Sequence, residues 1–421
     1  MRRDRKKIIY KIINEKKEGK SMLLNYSVKG FKVFYDEVSF SMLANNYIKK
    51  NRDNTISKLG KKKDISVVKS AFIFGPNNTG KSCFIDSLKF FVNLIINEKI
   101  YIDKYTKNLF YDKDDPIEFK LEYLVGVNKY YYSIKINTNG ILDEILELND
   151  EVILNRSNPS EEIKEIINLI GDIKNKLYVF LLPKKYNFIS EDLKKFVSSF
   201  EFVDFNAPLN IDEILKETNF EKISEMISKC DLQIDTIIDN SEDVEEFIKS
   251  KAKDDKNKDT MRELLNNYKL ISSFKFKGKR VYVPLVDINS KGTDKVVKMS
   301  YILLNAISEN KVLVIDEFEN SLHTIMSKAL ISFFNSNNNT RSQLIATTHD
   351  LLLLDDEYLL RKDQIWFIFK DENNNYLYSL DDFKDNKEID SRGNMMIKYM
   401  KGLFGALPKP TLFKDDVGEE E

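Results

Sequence analysis

The chain is poor in the residues that build disulfide frameworks and zinc sites. Its 421 residues include two cysteines, Cys83 and Cys230, and two histidines, His323 and His349. Two cysteines do not make a disulfide framework, and their scarcity favours a reducing compartment, so we expect a cytoplasmic protein. Two histidines argue strongly against a multi-histidine metal site or an HD-type phosphohydrolase.

A strong net charge and a long apolar run are also missing. Lys and Arg number 66 against 67 Asp and Glu, so the formal net charge is −1. This balance gives no global reason to expect nucleic acid or a membrane as partner, and any such surface has to be a local patch. No run approaches the roughly 18 apolar residues that a membrane-spanning helix needs, so we expect no membrane partner.

What the chain does contain is a phosphate-binding loop at residues 75–82, which read GPNNTGKS. A short apolar run, suited to a buried strand, precedes the loop, and helical apolar spacing follows it, so a chance match is the weaker interpretation. Glycines let the backbone N–H groups point at phosphate oxygens, the lysine reaches the outer phosphates, and the serine hydroxyl completes a Mg²⁺ shell. The loop predicts nucleoside triphosphate binding by Gly75, Asn77, Asn78, Thr79, Gly80, Lys81 and Ser82.

Two later apolar runs end in polar residues. Residues 311–315 lead directly into Asp316 and Glu317, and residues 343–348 lead into His349. Asp316 is placed to hold Mg²⁺, Glu317 to polarise an attacking water, and His349 to hydrogen-bond the γ-phosphate or that water. The alternatives are a core strand ending in a solvated acidic turn and a structural histidine. Because a phosphate-binding loop lies upstream, the catalytic interpretation is favoured.

The rest of the chain alternates between strand-rich and helical stretches. Residues 23–44 predict a hairpin, residues 49–63 a polar, basic loop, and residues 117–148 further strands, while residues 294–310 predict a helix. No sustained heptad pattern predicts a long coiled coil. We divide the chain into a polar N-terminal extension (1–21), the first part of an ATPase head (22–160), a helical insertion lobe (161–270), the second part of the head (271–408) and an acidic tail (409–421).

The order of these motifs, together with Ser321-Leu322-His323 and Thr347-Thr348-His349-Asp350, resembles the ABC-type ATPase heads shared by SMC and Rad50-like proteins. Within that group the chain is most similar to AAA-family ATPases of bacterial phage-defence and abortive-infection systems, relatives of the overcoming-lysogenization-defect ATPase domain. The similarity covers residues 22–160 and 280–408. It implies an α/β fold, namely an ABC-type P-loop ATPase head with mixed β-sheets and an inserted helical lobe.

The resemblance also implies ATP and Mg²⁺ as cofactors and a role for each site residue. Lys81 would contact the phosphates, Ser82 and Asp316 would hold Mg²⁺, Glu317 would be the catalytic carboxylate and His349 the switch histidine. Residues 321–323 would form the D-loop of a dimer interface.

The resemblance places the signature loop, which reads the γ-phosphate bound by a partner head, at Ser290, Lys291 and Gly292, before a helix. This chain departs from the pattern there, because relatives usually place serine directly before the glycine and this chain has Lys291. A lysine could neutralise phosphate charge instead of donating a hydrogen bond from a hydroxyl.

Three functions compete at this point. The first is an ATP-driven sensor or regulator of an anti-phage system, in which ATP-dependent dimerisation of heads holds or releases a separate effector, a nuclease or a toxin. A phage-derived trigger and nucleic-acid binding are both left open. The second is a DNA-repair or DNA-structure ATPase of the SMC and Rad50 type, which the lack of a coiled coil and of a Cys-x-x-Cys hook disfavours. The third is a transport ATPase, which requires a membrane partner.

Overall fold

A computed structural model describes residues 20–98, 102, 106–112, 114–171, 174–205, 211–215, 217–230, 234–252, 254–288, 291–320, 322–371, 374–383, 394–405 and 407. The chain forms two compact units. The first comprises Met1–Phe202, Asn310–Phe318 and Thr340–Glu421, and the second comprises Val203–Glu309 and Glu319–Asn339.

The strands are β1 Ser21–Lys29, β2 Val38–Ser41, β3 Thr55–Leu59, β4 Ile65–Val68, β5 Ser70–Phe74, β6 Ile117–Val125, β7 Asn128–Asn137, β8 Gly140–Leu148, β9 Glu151–Asn155, β10 Phe200–Val203, β11 Thr236–Asp239, β12 Leu270–Phe276, β13 Lys279–Pro284, β14 Val312–Ile315, β15 Gln343–Thr348, β16 Ile365–Lys370 and β17 Asn375–Ser379. The α-helices are α1 Lys81–Asn97, α2 Glu161–Ile170, α3 Asn187–Val197, α4 Ile211–Ile214, α5 Glu217–Ser228, α6 Ser241–Lys251, α7 Asp255–Leu265, α8 Leu285–Ile288, α9 Lys291–Glu309, α10 Thr324–Asn335 and α11 Met395–Met400.

The first unit contains two six-stranded sheets. One has the order β2-β1-β6-β7-β8-β9, and its pairings are antiparallel. The other has the order β10-β14-β15-β5-β16-β17, and β14, β15, β5 and β16 are parallel neighbours in it. The predicted α/β class with mixed sheets is therefore confirmed.

The central strands of the second sheet are buried on both faces. Every residue of β5, β14 and β15 is buried, as expected for parallel strands covered by other layers. Helix α1 packs the apolar side chains Phe84, Leu88 and Phe91 into the same core. This packing fixes the ends of the three strands relative to the start of α1.

Most of the elements expected from the sequence are found. The hairpin within 23–44 is the antiparallel pair β1–β2, and residues 117–148 supply β6 to β8. The assignment of residues 49–63 to a loop was wrong in part, because this stretch contains β3. The strand forms because Ile56 and Leu59 are buried with Met22 and Leu24 beneath an otherwise basic surface.

The second unit combines a three-stranded antiparallel sheet, β11-β12-β13, with helices. Its core is rich in isoleucine, including Ile211, Ile223 and Ile237. The predicted helical lobe began at residue 161, whereas α2 and α3 belong to the first unit, where Ile189 and Phe196 are fully buried. The domain limits from the sequence stay a prediction. Within the described residues, no helix is long and apolar enough to cross a bilayer.

Candidate nucleotide-binding site

Three strand ends bring the predicted site residues to one edge of the second sheet. Strand β15 lies between β14 and β5, with Ala346 opposite Ile315 and Thr348 opposite Phe74. The chain continues from these strands into the loop 75–82, the acids 316–317 and His349. Parallel strands present their carboxyl ends together, so the three segments lie side by side.

The loop 75–82 has a backbone that its residue types are suited to adopt. Asn78 and Gly80 have φ angles of 62° and 106°, in the left-handed region that asparagine and glycine tolerate best. A Cβ at Gly75 would lie 2.5 Å from the carbonyl oxygen of Ile368, and one at Gly80 would lie 2.8 Å from Val33 Cγ2. The two glycines therefore allow the loop to pack against its neighbours.

Hydrogen bonds hold the loop in this shape. The Thr79 hydroxyl donates to the Pro76 carbonyl at 2.9 Å, and Asn375 Nδ2 on β17 donates to the Thr79 carbonyl at 2.6 Å. Lys81 is only 6% exposed, and its ammonium donates to the carbonyls of Gly75 and Pro76, both at 2.8 Å. The Lys81 ammonium is therefore held by backbone carbonyls of the loop itself.

Helix α1 begins at Lys81 with an N-terminus suited to anions. Gly80 precedes it and provides no side-chain cap, so no side chain of that residue competes for the first N–H groups. A helix N-terminus carries partial positive charge and free N–H donors, which favour phosphate. The Ser82 side chain in the first turn is exposed. These features fit a nucleoside triphosphate with its metal ion.

The two acids are positioned by a residue on the neighbouring strand. Thr347 is fully buried, and its hydroxyl donates to Asp316 Oδ1 and accepts from the backbone N–H of Glu317 at 2.8 Å. Glu317 has a φ of 52°, a strained conformation for a side chain of this size. Asp316 is half-buried and Glu317 is exposed. One hydroxyl therefore fixes the carboxylate of the first acid and the backbone of the second.

The Asp316 carboxylate interacts electrostatically with Cys83 in the first turn of α1. Burial raises the pKa of the Cys83 thiol, and the carboxylates of Asp86 and Asp316 raise it further, while Lys32 opposes them. Lys32 Nζ lies 2.6 Å from Asp86 Oδ2. Mg²⁺ prefers oxygen ligands and commonly takes only one or two from protein beside the phosphates. The Ser82 hydroxyl and the Asp316 carboxylate match that donor set.

The remaining predicted residues lie in the second unit. The signature-loop assignment is only partly covered, since Ser290 lies outside the described residues, while α9 begins at Lys291 and contains Gly292. Ser321 of the D-loop also lies outside them. His323 caps α10, because its Nδ1 accepts the N–H of Ile325 at 3.3 Å.

Three residues near the site were missed in the sequence analysis. Thr347 was counted as part of a strand, Lys32 as one position of an alternating strand pattern, and Asn375 was not singled out. Thr347 carries the one signal that could have been read, a hydroxyl within an apolar run just before His349. The roles of Asn375 and Lys32 depend on contacts across 296 and 54 residues, which no local pattern reveals.

The family model described as "AAA domain, putative AbiEii toxin, Type IV TA system" matches residues 70–355, more than half of the chain. No match is found among curated proteins. Among solved structures, the chain is similar to the SMC head domain from Thermotoga maritima, with 13% identity, a TM-score of 0.41, and coverage of 85% of this chain and 98% of that chain. A second is the SmcHead bound to the C-winged helix domain of ScpA, with 13% identity, a TM-score of 0.41, and coverage of 85% and 97%. A third is the Smc head domain with an extended coiled coil bound to the C-terminal domain of ScpA derived from Pyrococcus furiosus, with 13% identity, a TM-score of 0.39, and coverage of 91% and 99%.

Proposed function

Because the chain belongs to this AAA-domain family of AbiEii type, we propose that it binds ATP with Mg²⁺ at the edge formed by β5, β14 and β15 and hydrolyses it. The observation that carries the proposal is the meeting of the loop 75–82, the acids 316–317 and His349 at adjacent parallel strand ends. A phosphate-binding loop beside a buried strand that ends in two acids is the arrangement that triphosphate hydrolysis requires.

Each residue of the site has a distinct task in this proposal. Lys81 exchanges its two carbonyl acceptors for phosphate oxygens, and the N–H groups at the start of α1 bind the same phosphates. Ser82 and Asp316 hold the metal ion, which neutralises charge on the phosphates when it is bound. Glu317 orients the attacking water, and His349 hydrogen-bonds the γ-phosphate or that water.

We propose further that two chains complete each other's sites. Gly292 lies at the start of α9, a helix of 19 residues, whose N-terminus is suited to bind a phosphate presented by a partner chain. ATP would then hold two heads together, and hydrolysis would release them. The D-loop at residues 321–323 would lie in the same interface.

The biological role that fits this cycle is a cytoplasmic sensor or regulator of an anti-phage system. Family membership supports it, and the dimerisation cycle would hold or release a separate effector, a nuclease or a toxin. The direct check is protection of bacteria against phage by the intact locus. We expect Lys81→Ala to abolish protection while the effector is still produced, and protection that survives this change would exclude an ATP-driven role.

Mixing two inactive variants tests the shared site. Lys81→Ala leaves the signature loop intact, whereas Gly292→Asp leaves the P-loop intact and places a carboxylate where the partner's phosphate is expected. Each variant alone should be inactive, and an equimolar mixture should regain about a quarter of the wild-type rate, because half of the dimers are mixed and each has one complete site. If the mixture stays inactive while both variants remain folded, the shared-site proposal is wrong.

A further inference from the structure

The hairpin β3–β4 carries a cluster of lysines that the nucleotide site does not use. Its tip, residues 57–64, contains Lys58, Lys61, Lys62 and Lys63, all exposed, and one acid, Asp64. Within the described residues, none of these four lysines forms an ion pair or a side-chain hydrogen bond. Their charges are therefore available to a partner.

The hairpin is firmly anchored below its tip. Ile56, Leu59 and Val67 are buried against Met22 and Leu24 of β1. The backbone N–H of Lys69 also donates to the Asn54 carbonyl at 2.8 Å, and Asn54 Nδ2 donates to Gln364 Oε1 at 2.7 Å. The tip is therefore presented from a fixed base.

The tip keeps an unusual backbone. Lys58 and Lys63 have φ angles of 63° and 58°, in the left-handed region that lysine adopts at a cost, while Gly60 has a φ of 75°. The pairing of β3 with β4 shifts register between Ile56 and Leu59. Asparagine or glycine would fit the two strained positions more easily. Lysine stands at both strained positions, so two of the four exposed charges lie on the left-handed turns of the tip.

More cations lie at the base of the same hairpin. Burial lowers the pKa of Lys20, and the charge of Arg341 lowers it further. Burial lowers the pKa of Lys69 to about 8, Asp53 raises it, and the charge of Lys20 lowers it again. Lys69 directly follows β4, but it is only 3% exposed and its ammonium donates to the Asp53 carbonyl, so it is a buried cation and the exposed lysines are those of the tip. Lys69 joins β4 to β5, so the base of the hairpin lies at the amino end of β5, the opposite end of that strand from the loop 75–82.

We propose that the exposed lysines at the tip of β3–β4, Lys58, Lys61, Lys62 and Lys63, bind the phosphate backbone of a nucleic-acid duplex. Flexible lysines act as point charges and bind phosphates without reading sequence. Residues 57–64 contain no aromatic side chain, so base stacking, which usually holds a single strand, is not available at the tip. A net charge of −1 for the whole chain makes this cluster of lysines a local patch, distinct from a generally basic protein.

Salt dependence of binding tests the proposal. The probes are fluorescein-labelled 30-base-pair DNA and RNA duplexes. Both present a phosphate backbone, and comparing them shows whether DNA or RNA is bound more tightly. Fluorescence anisotropy is measured from 50 to 300 mM KCl. Replacing Lys61, Lys62 and Lys63 by glutamine should weaken binding about tenfold or more at 100 mM KCl and reduce the slope of log K against log salt by about 2 to 3. Lys61→Gln with Lys62→Gln, both outside the left-handed positions, should show a smaller change in the same direction.

A matched variant controls for the loss of charge. Lys249, Lys251 and Lys256 are exposed in the second unit, and their replacement by glutamine should leave duplex binding unchanged. ATP hydrolysis is measured on the same samples and should be unaffected by the hairpin variants. The duplex-binding proposal can therefore fail without any consequence for the proposed ATPase, and the reverse also holds. Absence of wild-type binding to both duplexes at 50 mM KCl overturns the proposal. So does an unchanged slope in the triple variant, or tighter binding of polyglutamate than of either duplex, which would indicate an acidic protein partner.

Discussion

Replacing Thr347 by valine tests how the two acids are held. Valine has nearly the same shape, so the fully buried position stays filled and only the hydroxyl is lost. The hydroxyl donates to Asp316 and accepts the N–H of Glu317 at 2.8 Å. The change therefore frees a carboxylate oxygen and leaves a backbone N–H without its acceptor, beside a residue whose φ is 52°.

The magnitude follows from the two contacts. A hydrogen bond to a charged group contributes about 1.5–3 kcal/mol, and a buried N–H without an acceptor costs about 1–3 kcal/mol. The contacts share one hydroxyl and are partly compensated by water, so we expect the free energy of unfolding to fall by about 2–4 kcal/mol. If about half of this loss is expressed in the transition state for hydrolysis, kcat falls by about 5- to 30-fold.

The assay separates positioning from binding. Steady-state ATP hydrolysis gives kcat, a fluorescent ATP analogue gives the dissociation constant, and a Mg²⁺ titration tests the proposed metal contact of Asp316. We expect kcat to fall, the apparent Mg²⁺ affinity to weaken, and nucleotide affinity at saturating Mg²⁺ to change by less than about threefold, because the phosphate contacts of the loop 75–82 are untouched. Thr347→Ser keeps the hydroxyl and should retain most of the activity.

Two results would refute the reasoning. One is a valine variant with wild-type kcat and unchanged stability, which would mean that the hydroxyl does not hold the acids. The other is an equal loss in the serine and valine variants, which would show that any change at this buried position is harmful and that the hydroxyl has no special role. Thr348→Val removes a neighbouring hydroxyl, which accepts the N–H of Asp350 at 3.1 Å, and serves as the control for a buried change that leaves Asp316 and Glu317 alone.

Further predictions concern the loop and two buried charges. Asn78→Val should weaken ATP binding and lower stability by about 1–2 kcal/mol, because a β-branched residue is strained at a φ of 62°, whereas Asn78→Gly should preserve binding in the same titration. Glu144 is fully buried, and its carboxylate accepts hydrogen bonds from the Tyr132 hydroxyl and two backbone N–H groups. In Glu144→Gln the amide NH₂ group would face one of these donors, so the melting temperature measured by calorimetry should fall. Burial lowers the pKa of Lys69 to about 8. Above that pH the unfolded chain binds more protons than the folded chain, so the free energy of unfolding should rise between pH 8 and 10. Urea titrations should show this rise in the wild type and a smaller rise in Lys69→Met.

The strands around the nucleotide edge could be predicted because their sequence signals are local. The runs before Gly75, Asp316 and His349 are apolar, so the strands followed from the sequence. Each run ends in a residue type suited to phosphate chemistry, and the roles of these end residues stay predictions. Parallel strands whose carboxyl ends meet at one edge explain why these residues come together. The structure confirms the strands and their neighbourhood.

The parts that could not be predicted depend on distant partners. The β3 strand lies in a lysine-rich stretch, and only burial of Ile56 and Leu59 against Met22 and Leu24 makes it a strand. The short helices of residues 161–197 have the same sequence pattern as the helices that follow them, yet they pack into the first unit. Thr347 was treated as one more strand residue because its role depends on Asp316, 31 residues away.

The most direct test of the proposed ATPase is the hydrolysis of bound ATP by Glu317→Gln beside the wild type. Glutamine keeps the shape of the side chain and leaves Lys81, Ser82 and Asp316 in place, so ATP and Mg²⁺ should bind with unchanged affinity. Without a carboxylate to orient water, single-turnover hydrolysis should slow by about a hundredfold or more, and ATP should accumulate on the protein. A variant that hydrolyses ATP at the wild-type rate, or a wild type that binds no ATP, would contradict the assignment of this edge as the catalytic site.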